Sequence, residues 1–217
     1  MTALTHPIPR LTFGEEVGNA VSHGVMAALI LLAFPYASLR GYMIAGWLGV
    51  SGIGIYMSAI FLMFLSSSLY HSMDPASVHK QVFRVLDHSF IFVAIAGSYT
   101  PIALLTIGGI KGIGIVVFQW VLVVVGIILK AKGKGYKPLL SVGIYLMMGW
   151  TVILFLPTLI RQGTSILLIL LVVGGVLYSI GAVIYAKRGF KYHHLVWHLC
   201  INLASLAHMV GILFYIR

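Results

Sequence analysis

The segment 193–211 is apolar, yet it carries His193, His194, His198 and His208. A helix crossing hydrocarbon gains nothing from unpartnered imidazoles, because a buried polar nitrogen without a partner costs free energy. On a helix turning about 100° per residue, His194 and His198 lie about 40° apart on one face. His at i and i+4 can offer two nitrogen ligands to one zinc ion. The competing reading is a hydrogen-bonded packing pair. Two ligands do not complete a site, so partners must come from other parts of the chain. His208 lies about 15 Å further along the helix than His198, at about 1.5 Å per residue. It therefore cannot share the ion, and a buried hydrogen bond is expected for it. Cys200 falls about 200° round the helix from His198 and reads as packing. His6, His79 and His193 read as interfacial, and His88 suits either role.

The elements that must position these residues follow from composition. Of 217 residues, 60% are hydrophobic and 8% charged, with a mean hydropathy of +1.05. Soluble domains carry about a quarter of their residues as charges, so this is a polytopic membrane protein. A single cysteine excludes an internal disulfide framework. The opening MTALTHPIPRLTFGEE lacks the short apolar core of a cleaved signal, so a retained N-terminus, part of it lying along the membrane surface, is expected.

Apolar runs of the length a bilayer demands, about 20 residues, recur near 18–39, 44–71, 87–108, 112–130, 138–157, 164–186 and 194–216. They are continuously apolar and do not alternate every second residue, which predicts helices and excludes a barrel. The expected fold is all-α, one seven-transmembrane-helix domain over 1–217. Paired glycines such as Gly108 and Gly109, or Gly174 and Gly175, suit close helix contacts. The nearest approach to low complexity is the lysine and glycine loop 130–137. With a cytoplasmic N-terminus, ten of the 14 Lys and Arg fall on the cytoplasmic side: Arg10, Lys80, Arg84, Lys130, Lys132, Lys134, Lys137, Lys187, Arg188 and Lys191. Basic residues in short loops favour the cytoplasm, so the N-terminus is expected inside and the C-terminus outside. The net charge of +10 then finds its counterpart in anionic lipid headgroups and needs no nucleic acid. No pattern specifies an oligomeric state.

This topology gathers scattered polar residues at one membrane depth. The second run ends on Ser67 and His71, four apart and on one face; the third begins with Asp87; the seventh begins with His194 and His198. Asp87 is one of only four acids. A carboxylate at the start of an apolar span faces the bundle interior and a partner, although a structural cap is the competing role. Ser67 competes in register with Ser66 and Ser68, and serines in membrane helices commonly bond their own backbone. Glu15, Asn19 and His23 form an i, i+4, i+8 set entering the first run from the same side, read as support for the site.

Glu15-x3-Asn19-x3-His23, Ser67-x3-His71 followed by Asp87 in LDHSFIFVAIAGSYTP, and His194-x3-His198 resemble the three motifs of the progestin and adiponectin receptor family, in particular its bacterial hemolysin III branch. The likeness covers nearly the whole chain. It implies a seven-helix fold with an inside N-terminus and a zinc ion near the cytoplasmic face. It also implies His71, His194 and His198 as ligands, with Asp87 and Ser67 beside the ion's open position. The long N-terminal domain and outer tail of the animal receptors are absent, so hormone binding is not carried over.

Three imidazoles leave a fourth tetrahedral position free, the pattern of catalytic zinc sites. Such an ion makes water a nucleophile near neutral pH. Asp87 suits a proton acceptor or a partner that fixes an imidazole tautomer; Ser67 suits a hydrogen-bond donor to a developing oxyanion. Near the headgroups the substrate would be a membrane lipid amide or ester, and the resemblance points to a ceramidase-like amide hydrolase. Two alternatives stand beside it: a non-catalytic lipid sensor in which zinc locks helices together, and a cytolysin (hemolysin) that forms pores. The long apolar runs argue against the last, which needs a soluble state.

Overall fold

The computed structural model describes residues 11–131, 138–187 and 189–216. The loop 132–137, the first ten residues and positions 188 and 217 lie outside the described residues. With them go His6, the surface-lying N-terminus, most of the lysine loop, and Arg10, Arg188 and Arg217 of the charge count. Among the described residues the fold is all-helical, and six helices are long and apolar enough to cross a membrane.

The first helix, α1 (Phe13–Ser72), begins where Thr12 and Glu15 form a capping box, which satisfies amides that a helix start leaves open. Unbroken, its 60 residues would run about 90 Å, three times the hydrocarbon thickness of about 30 Å. It is instead two arms that meet at Ala45 (φ −150°, ψ 31°) and Gly46 (φ 56°). The left-handed turn at Gly46 suits a residue without Cβ. Beside it Gly41 and Gly49 touch backbone to backbone: a Cβ on Gly49 would lie 2.0 Å from the Gly41 carbonyl oxygen. At the other end the Ser68 hydroxyl donates to the Ala20 carbonyl at 2.8 Å, directly opposite Gly24. The arms are thus an antiparallel pair held close at both ends. Gly49→Ala is expected to lower stability by about 3 kcal/mol, the upper end for overpacking, because carbonyl and backbone cannot yield as a side chain would. Thermal unfolding in detergent checks this, with Gly54→Ala, whose Cβ meets nothing, as the comparison.

Helix α2 (Val78–Pro101) is capped by Ser77 and starts nine residues before the third apolar run. Polar His79, Lys80, Gln81 and Arg84 hide its first turns from a hydropathy reading. Asp87 therefore sits well inside α2 and is not its cap. Beyond Pro101 the chain makes a π-turn, Ile102–Ile107, closed by Gly108 at φ 65°. Helix α3 (Gly109–Ala131) follows.

The fifth apolar run is broken into α4 (Pro138–Trp150), a 3-10 turn over Thr151–Phe155, and α5 (Leu156–Gln162). A break at membrane depth needs its freed backbone groups satisfied by neighbours. Tyr99 of α2 does this twice: its hydroxyl donates to the Gly149 carbonyl at 2.5 Å and accepts from the Val152 amide at 2.9 Å. Gln119 of α3 adds bonds to the Met148 carbonyl and the Thr151 hydroxyl.

Helices α6 (Ser165–Lys187) and α7 (His193–Tyr215) pack through small residues, with Gly174 against the His208 ring and Gly181 against Trp197 and Cys200. The core includes Ile30, Ile53, Met57, Phe64, Leu167 and Ile212, all 2% exposed or less. Leu32, Trp47, Val121, Leu154 and Ile169 point outward, an apolar exterior that water would not tolerate at this extent and lipid does.

Candidate metal centre

Three elements converge at one end of the bundle. His71 stands in the last turn of α1, and His194 and His198 occupy the first two turns of α7, which opens after Tyr192 in a left-handed conformation (φ 64°). One nitrogen from each of the three imidazoles lies within 4.8 Å of the other two. The ring centroids are 4.8 to 5.1 Å apart. His71 and His198 are buried. Among the described residues the Nε2 atoms of all three, and Nδ1 of His198, have no hydrogen-bond partner. Buried nitrogens are seldom left so, and a shared cation would satisfy them together. Zinc bonds of about 2.0–2.1 Å place neighbouring nitrogens about 3.4 Å apart, and here they lie within 4.8 Å of one another. The donor set fits a metal ion.

His71 is held from behind. Its Nδ1 lies 2.5 Å from Oε2 of Glu16, and Oε1 of Glu16 accepts from the Lys80 ammonium at 2.7 Å. The i, i+4, i+8 reading did not reach this carboxylate, since Glu16 stands about 100° off the Glu15 face. The available signal was its rarity, one of four acids, at the mouth of an apolar run. Glu15 itself caps α1 and accepts from the Tyr192 amide at 3.0 Å, tying the starts of α1 and α7 together. Asn19 and His23 are buried beside the cluster. His23 stacks on His198, 3.7 Å between centroids at 17°, and among the described residues neither polar atom of the Asn19 amide has a partner.

Asp87 is buried, with the Ser67 side chain beside its carboxylate and His71 within electrostatic reach. Of the three neighbouring serines, Ser66 bonds the Met63 carbonyl and Ser68 the Ala20 carbonyl, and Ser67 is the one beside Asp87. His88 is committed to the Arg84 carbonyl at 2.7 Å, and His193 to the Phe190 carbonyl. His208 bonds the Leu171 carbonyl at 3.2 Å, the buried hydrogen bond expected of it. Ser67, Asp87 and His23 form part of the wall of a cavity of about 200 Å³ that runs between apolar side chains to His208.

Together, an all-helical fold among the described residues with an apolar exterior and a three-His cluster between α1 and α7 define a multi-pass membrane protein with a candidate metal centre. The chain matches the haemolysin-III related family over residues 11–209 and belongs to it. It is 33% identical over 219 residues to Hemolysin-3 of Bacillus cereus, covering 98% of both chains. It is 32% identical over 204 residues to a Hemolysin-3 homolog of Bacillus subtilis (strain 168), covering 94% of this chain and 95% of the relative.

Proposed function

We propose that this protein is a zinc-dependent hydrolase of a lipid amide, ceramidase-like, with its metal near the cytoplasmic face. One observation carries the reading: three buried imidazole nitrogens lie within 4.8 Å of one another, and Ser67, one helical turn before His71, and Asp87, within electrostatic reach of it, line an apolar cavity. Counting both arms of α1 as crossings gives seven, and the basic-residue asymmetry supports an inside N-terminus and an outside C-terminus. Anionic headgroups would meet the basic cytoplasmic side.

In this reading His71, His194 and His198 hold zinc, which supplies Lewis acidity and brings the pKa of water toward about 7. The cavity takes the acyl chain. Asp87 accepts a proton from the attacking water and passes it to the leaving amine. Ser67 orients the Asp87 carboxylate and can donate to the oxygen on which charge develops. The C–N bond breaks, and a carboxylic acid and an amine leave.

The relatives' name favours a second reading, a cytolysin. The two separate in one preparation: protein in liposomes containing a long-chain N-acyl amide, assayed for released fatty acid and for entrapped dye. Fatty acid without leakage is expected. Leakage that survives His198→Ala, with no acid released, would establish the cytolysin instead.

A further inference from the structure

We infer that Glu16, held by Lys80, is the residue that positions His71 for the metal. The inference rests on the metal reading of the site and adds a pair outside the motifs that carried it. Glu16 enters from the first turn of α1 and meets His71 at that helix's far end, 55 positions along the chain. Its Oε2 lies on His71 Nδ1 at 2.5 Å. With Nδ1 as donor, the lone pair stands on Nε2, the nitrogen left without a partner among the described residues. This is the carboxylate–histidine arrangement that fixes tautomer and ring orientation in metal sites. Among the described residues His198 has no carboxylate behind it; the polar group beside it is the Asn19 backbone.

Lys80 fixes Glu16 in turn. Its ammonium, fully buried, donates to Glu16 Oε1 at 2.7 Å and to the Met73 carbonyl at 2.9 Å, and sits 5.1 Å from the Tyr70 ring centroid. A lysine buried this completely needs a partner of opposite charge, and here that partner is the carboxylate that also meets His71. One cation thus secures the end of α1, the start of α2 and the carboxylate behind His71.

The test is zinc affinity of the full chain in detergent, by chelator competition, together with the visible spectrum of the cobalt-substituted protein. Glu16→Ala is expected to weaken zinc binding about 10–100-fold and to alter the cobalt spectrum, as loss of such partners does. Glu16→Gln, which keeps an acceptor oxygen, should fall between it and wild type, and Lys80→Met should weaken binding in the same direction. Thr12→Ala, which removes the cap of the same helix, should lower thermal stability and leave zinc affinity as in wild type. If wild type binds zinc and the Glu16 and Lys80 variants bind it equally well, the positioning role is overturned while the metal site stands. If wild type binds no metal, the metal reading fails, and this inference with it.

Discussion

Replacing Asp87 by asparagine is expected to lower lipid-amide turnover by about 10²–10⁴-fold, the usual contribution of a positioned acid or base, while zinc content stays at the wild-type level. The substitution conserves volume and leaves an amide oxygen to accept from Ser67, so packing in this buried position is preserved. What it removes is the ability to take up a proton. In free-energy terms the loss is about 3–5 kcal/mol of barrier, far above what a small shift in local packing would cause. The comparison is made at matched metal content and with thermal stability recorded on the same samples. Turnover within tenfold of wild type would remove Asp87 from the chemistry. A parallel loss of metal would instead make it part of what holds the ion.

Much of this arrangement is written in local sequence pattern, and the exceptions share a cause. The helices are legible because runs such as 112–130 and 164–186 are apolar throughout, and α3 and α6 fall within a few residues of them. The spacing of His194 and His198 places them on one face whatever surrounds them. The start of α2 is hidden because Lys80 is buried by an ion pair to Glu16, a contact 64 positions distant that no window of hydropathy reveals. The break over Thr151–Phe155 is equally silent, since its backbone is satisfied by Tyr99 and Gln119 from other helices. Periodicity likewise grouped Glu15 with Asn19 and His23 on one face of α1. The carboxylate that reaches His71 is its neighbour, Glu16, because the choice depends on where the far end of α1 returns after the turn at Gly46. Local rules place residues on faces; only the closed fold decides which face meets which.

His71, His194 and His198 are expected to hold one ion together. Each has a nitrogen with no other partner among the described residues, and a three-ligand site that loses one imidazole keeps too few donors to hold zinc against solvent and buffer. The effect should therefore exceed the 10–100-fold expected from losing a supporting carboxylate. The fold itself should tolerate the change, because His198→Ala also removes buried nitrogens that the apo protein leaves unpaired. The most direct measurement is elemental analysis of purified wild type alongside His71→Ala, His194→Ala and His198→Ala, each checked for retained helicity. About one zinc per wild-type chain is expected, with its loss in all three variants. Metal-free wild type, or zinc retained in full by the folded variants, would contradict it.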